Sequence, residues 1–313
     1  MIYLIISINS QGSKPASTDN TTQEETSELD PPSEDEPANG SEEVEITDTY
    51  VLNDLNNKLK ILSGTPKSEA KINEVIGFSA ERDNPAYKLY SEILTPREKI
   101  ALIFEALDAS GGFQHPYSLN LTDNEIRDLW AQINPAYDFT NFDSGKDRSI
   151  VTETFAIEGK TVADKYYDVY GEELVKKAET EPLLCHKYGY NASKDIYFAD
   201  WGGCGRVVSH LAQLYKEKFT KNDAIGKAYI YVRVGTLGYH RSFLDIDGYC
   251  VIYSDISTYE NIHGITLEEY ATCPYDLNPV FINSSNYQNF TPYRFVFEKS
   301  ADGIYHFSKV EKL

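Results

Sequence analysis

Basic residues are scarce in this chain. Twenty-nine Lys and Arg face 49 Asp and Glu in 313 residues, a net charge of −20. Binding to nucleic-acid phosphates needs clustered cations, so DNA and RNA are excluded as partners. The same shortage opposes docking on an anionic membrane surface. Metal-ligand spacings are missing as well. The six histidines, His115, His186, His210, His240, His263 and His306, never fall at H-x-H or H-E-x-x-H. None of the four cysteines forms a C-x₂₋₄-C pair. Asp245-Ile246-Asp247-Gly248 opens like a Ca²⁺ loop but lacks the later ligands and the closing Glu, and reads as a turn. No Walker or dinucleotide fingerprint occurs. We therefore expect neither metal nor cofactor.

The acidic excess has an address. Between Asn9 and Asp48 twelve acids face one base, Lys14, a net −11 in 40 residues that leaves −9 for the other 273. This segment is rich in Ser, Thr, Pro, Asn and Gly and has no aromatic residue. It cannot bury enough apolar surface to offset chain entropy, so residues 9–48 are expected to form a disordered, self-repelling tether. Ahead of it, residues 1–8 carry the apolar run Ile2-Tyr3-Leu4-Ile5-Ile6-Ser7-Ile8. That is far short of the roughly 20 residues of a spanning helix and at the lower limit of a signal core, with no Lys/Arg ahead of it. We read it as the end of an export signal or membrane anchor. The order of apolar stub and polar tether then implies an extracytoplasmic protein, at the cell surface or secreted.

The body divides into a mainly helical segment, 49–182, and a mainly β segment, 183–313. Leu52, Leu55, Leu59 and Leu62 form one helical stripe, stopped by Gly64 and Pro66. Thr95-Pro96-Arg97-Glu98 and Thr122-Asp123-Asn124-Glu125 are capping boxes. A fourth helix is expected over 162–170, with Val162, Tyr166, Tyr167 and Tyr170 inward and Gly171 as the stop. A strand pair is expected around the turn Asn191 to Asp195. Strands are also expected at Ala228 to Val234 and Tyr249 to Tyr253. The stretch 207–219 fits both a helical stripe and an alternating strand, and the simpler topology makes it a strand. Tyr293, Phe295 and Phe297, then Tyr305 and Phe307 across Ser300-Ala301-Asp302-Gly303, spell a hairpin with one aromatic face. The fold class is α+β, with N-terminal helices packed on a mainly antiparallel C-terminal sheet.

Lys165-Tyr166 through Gly171, Cys185 with Tyr188 to Asn191, Gly203-Cys204-Gly205, and Tyr293 to Val310 together carry a resemblance. In this order of elements the chain resembles a loose group of exported or membrane-anchored bacterial proteins with an acidic tether and a Tyr-rich β half. The resemblance implies a place in the cell envelope, with membrane tethering through the N-terminus, and no activity. The 24 tyrosines suit either a protein- or glycan-binding face or plain strand packing. The reading is an interaction or binding module.

Chemistry has one alternative. Asp200-Trp201-Gly202-Gly203-Cys204-Gly205 resembles the nucleophile turn of papain-like or cell-wall Cys peptidases. His240 could then act as base and Asp245 or Asp247 as its orienting group. Against this stands a structural role for Cys185, Cys204, Cys250 and Cys273 as disulfides. Four cysteines allow three connectivities. The sequence-local one, Cys185–Cys204 and Cys250–Cys273, closes loops of about 20 residues worth roughly 3 kcal/mol each. The pairing Cys185–Cys204 is expected from a hairpin centred near Lys194-Asp195. Free-thiol titration of the native protein decides between the two. The disulfide reading expects four sulfurs that titrate only after reduction; a Cys204 that alkylates in the native protein sinks it.

Overall fold

Helix starts are written into this sequence as caps. The computed structural model describes residues 42–64, 75–80, 84–136, 154–184, 186–200, 210–240, 249–256, 266–270 and 281–313, with backbone alone at 79, 210, 239–240, 249–253 and 266–270. The Asp48 carboxylate accepts the Tyr50 and Val51 N–H groups and opens α1, Thr49–Leu62, which buries Leu55, Leu59 and Leu62. Asn84 caps the single turn α2, Pro85–Lys88. Both capping boxes form, at the start of α3, Pro96–Ala109, and of α4, Asp123–Ile133. Lys194, with the Thr122 cap, holds the Glu125 carboxyl down at about 2. α5, Gly159–Tyr170, buries Val162, Tyr166 and Tyr170 and ends at Gly171 in the left-handed region.

Among the described residues the strands make two sheets and every pairing is antiparallel, in keeping with the α+β class expected. β1 (Val44–Glu45), β2 (Val75–Ser79), β7 (His210–Asn222), β8 (Lys227–His240), β9 (Tyr249–Tyr253), β10 (Thr266–Tyr270), β11 (Thr291–Lys299) and β12 (Tyr305–Lys312) form the larger. Its main path runs β1-β7-β8-β11-β12. β3 (Thr154–Glu158), β4 (Glu179–Leu183), β5 (His186–Asn191) and β6 (Ile196–Asp200) form the smaller, in the order β3-β6-β5-β4. Helices α1, α3 and α5 pack on the inner face of the large sheet, against Leu214, Ile230, Val232, Phe295 and Phe297. α4 packs Ile126, Leu129 and Ile133 on Ala156, Ile196 and Phe198 of the small sheet. Segment 281–290 covers part of the outer face, where Phe281, Ile282 and Phe290 meet Tyr215 and Leu237.

Several expectations need correction. The segment 49–182 is mainly helical but also carries strands that were not expected: β2, β3 and most of β4, each five residues long, too short to show a period among helical stripes. The folded body also starts before Asp48. Val44 and Glu45 pair with Lys221 and Thr220, Ile46 is buried, and Glu43 takes hydrogen bonds from Thr220 and Tyr231. Composition alone gave these residues to the tether. Tyr167 is 41% exposed rather than inward, because the helix turns it past the core and against the His306 ring. The stretch around 211–219 is a strand, as the simpler topology required.

One buried charge ties the layers together. The Lys58 ammonium, with its side chain 0% exposed, meets Asp54 at 2.7 Å and Asp168 of α5 at 3.2 Å. It also donates to the Tyr305 carbonyl of β12 at 2.8 Å. Removing a partner from such a site leaves the others without compensation. Both carboxylates keep about a third of their exposure (27% and 34%), which softens the loss. Lys58→Met is expected to lower the unfolding free energy in urea by about 2–4 kcal/mol. A loss under about 0.5 kcal/mol would show that the three acceptors find water instead.

Candidate functional site

Along the rim of β12 the large sheet meets α5 and the loop between α2 and α3, and the three do not close. A cavity of about 730 Å³ remains, within the range of ligand clefts. One wall is the loop from Leu89 to Leu94. The second is Tyr170, Gly171 and Glu172 at the end of α5, with Lys99 of α3. The third is the β11–β12 hairpin, from Glu298 to Ser300 and from His306 to Val310. Leu89 and Leu94 are buried, whereas Ile93 stands 93% exposed at the same loop. Phe307 and Val310 are partly buried beside them. The lining is therefore mixed, with apolar side chains set among charged and polar ones.

The charges of that lining are largely engaged. Lys99 pairs with Glu172 at 2.7 Å and lies over the Tyr170 ring. Lys309 pairs with Glu311 at 2.7 Å. Burial, with Tyr166 and Glu172 alongside, pushes the Tyr170 hydroxyl well above its ordinary range. Burial and Glu172 push Tyr166 up to about 12. Both phenols are neutral at any physiological pH and serve as packing. Burial also raises Tyr90, whose hydroxyl has no hydrogen-bond partner among the described residues.

A Ser–His pair lines the cavity, and its hydrogen bonds argue against nucleophilic work. The Ser300 hydroxyl lies 3.1 Å from His306 Nε2. Its single proton also has the Asp302 carboxylate and the Ile304 carbonyl of its own turn as acceptors. The Ser300 hydroxyl and the Ile304 N–H hold the Asp302 carboxyl below the usual range. His306 Nδ1 faces the Asp168 carbonyl at 3.0 Å, so the ring is a clamp from the hairpin to α5. A nucleophile needs its proton aimed at the base; here the hydroxyl closes a turn.

The sequence-predicted site residues that the structure describes, His240 and Cys250, do not line this cavity. Cys185, Cys204, Cys273, Asp245 and Asp247 lie outside the described residues. His240 sits at the end of β8 opposite Tyr249, and Cys250 of β9 opposite Tyr239. The hairpin invoked for the Cys185–Cys204 pairing exists, with Asn191 opposite Ile196 and Tyr188 opposite Ala199. Its centre falls between Ser193 and Lys194, one residue before the expected centre at Lys194-Asp195. Among the described residues, no group of three or more His, Cys, Asp and Glu side chains could hold a metal, and no helix is long and apolar enough to cross a membrane. No family model, curated protein or solved structure matches the chain.

Sequence reasoning missed the cavity because its walls come from three distant segments. The one local signal was Ile93, an apolar residue in the short link between two helices. The clamp at its inner end is testable. Gly171 has φ +66°, and a Cβ there would lie 2.9 Å from the His306 ring. Gly111 has φ +74° and nothing within 4 Å. Gly111→Ala is expected to cost about 1 kcal/mol, the backbone share alone, and Gly171→Ala about 2–3 kcal/mol. Equal losses in urea melts would mean that the ring yields freely.

Proposed function

We propose that the chain is an extracytoplasmic, envelope-associated binding module whose recognition site is the cavity beside β12. The observation that carries the reading is the cavity itself: about 730 Å³, lined by apolar side chains together with charges of both signs. A Ser–His pair whose hydroxyl is shared with acceptors of its own turn supports binding over catalysis. The acidic segment 9–48 and the apolar start of the chain support a position outside the cytoplasm, tethered through the N-terminus. The partner in this reading is a protein or glycan of the cell surface.

Ile93 provides the test, since its side chain is almost fully exposed and Ile93→Lys should leave the fold unchanged. The full chain is presented to a phage library of random nonapeptides and to a glycan array. Every hit is measured again with Ile93→Lys. The expected result is a ligand class whose affinity falls at least tenfold in the variant while the melting curve stays put. Hits indifferent to the variant, or none at all, would overturn the reading. Peptide cleavage abolished by Cys204→Ala would establish the Cys-dependent hydrolase in its place.

A further inference from the structure

The cavity has an unusual wall: the open edge of a β-sheet. β12 ends the path of the large sheet and, among the described residues, pairs with β11 alone. The Leu313 N–H donates to the Pro292 carbonyl at 3.0 Å, and Glu311 stands opposite Arg294. By the alternation of an antiparallel ladder, Lys309, Glu311 and Leu313 face β11. Val310 and Lys312 turn their N–H and C=O groups the other way. Near its start this outer edge is covered. Lys58 takes the Tyr305 carbonyl, and the end of α5 lies against His306. Farther on the cover stops, and the wall from Ser308 to Val310 lies open to the cavity. Among the described residues nothing hydrogen-bonds to the backbone of Val310 or Lys312 on that side.

We propose that the occupant of the cavity is an extended peptide segment of another polypeptide, added as a strand on β12. The inference rests on reading the cavity as the recognition site. Donors and acceptors alternating at strand spacing are matched by one ligand chemistry, a second extended backbone. The walls then define its side chains. Residues on the inner side of an added strand would lie beside Phe307 and Val310 and face Leu89, Ile93 and Leu94, so they are apolar. Residues flanking them are polar, because the margin of the cavity carries both signs. Glu92 on the exposed rim and Lys299 on the hairpin wall have no ion pair among the described residues, while Lys99 and Lys309 are already held by Glu172 and Glu311. The peptide class is therefore an extended segment in which apolar residues alternate with polar ones.

Backbone methylation separates strand addition from any other use of the cavity. A selected nonapeptide is synthesised with single N-methyl groups at successive positions, and binding to the full chain is read by fluorescence anisotropy. Methyl groups on alternate residues i and i+2 should weaken binding at least tenfold, and those on i+1 less than threefold. Val310→Pro, which removes an outward N–H and no bond to β11, should weaken the parent peptide at least tenfold. The peptide series tests the same point without altering the protein. A peptide that is sensitive to Ile93→Lys but indifferent to methylation at every position overturns strand addition and leaves the cavity reading standing. Hits confined to glycans do the same. Sedimentation showing a dimer that Val310→Pro dissociates would assign the edge to a second copy of the chain and overturn the proposal as well.

Discussion

The ammonium of Lys58 is the constraint on which the arrangement of layers depends. An ammonium withdrawn fully from water costs several kcal/mol unless its protons are met. Here they are met by groups from three elements: Asp54 one turn back on α1, Asp168 near the end of α5, and the Tyr305 carbonyl, 247 residues along the chain. The site exists only when the first helix, the fifth and the last strand have all arrived. Leucine at position 58 would have allowed those elements to slide over one another. A cation with fixed acceptors does not. The carbonyl it captures also lies at the start of the sheet's outer rim, so the same contact marks where that rim is shielded.

A second buried lysine shows how far the sequence could be read. Lys216 of β7 is 1% exposed and donates to Asn56 of α1 at 2.8 Å. It reaches the interior because β7 carries a bulge between Lys216 and Lys218. Ala212, Leu214 and Lys216 point inward before it and Phe219 after it, so the alternation changes phase in mid-strand. A period-two template run over Leu211, Gln213, Tyr215, Glu217 and Phe219 therefore fits imperfectly, and a helical stripe competes. The other side chains of that series are not left to solvent either: Tyr215 is roofed by segment 281–290. Strand identity followed from topology; the face of each residue did not.

What was legible had a local cause. Capping boxes at Thr95 and Thr122, the stop at Gly171 and the aromatic face of Tyr293, Phe295 and Phe297 are each decided within a few residues. What was not legible needed a partner far away. β2 is a strand because β7 offers it an edge, and β3 because β6 does. The cavity depends on contacts of still longer range, since Ile93, Tyr170 and Val310 share nothing in sequence. The cysteine motif drew attention for the opposite reason. Its residues are conspicuous in the sequence, whereas the recess beside β12 is built of ordinary ones.

The junction between the two sheets is built without slack. β3 ends at Glu158 and α5 begins at Gly159, with no residue between them. The Gly159 N–H donates to the Asp195 carbonyl at 2.6 Å, and a Cβ on Gly159 would come within 2.1 Å of the Asp195 carboxylate. Lys176 and Tyr190 fix that carboxylate in turn. The helix is thus clamped to the small sheet at one end, while Asp168 and Gly171 at its other end meet the large sheet. Twelve residues make a strut about 18 Å long. Tilting it by about 10° at the clamp moves the far end by about 3 Å, roughly the rise of one strand residue. The helix is in this sense a lever arm, and the width of the recess beside β12 is tied to a clamp about 18 Å away.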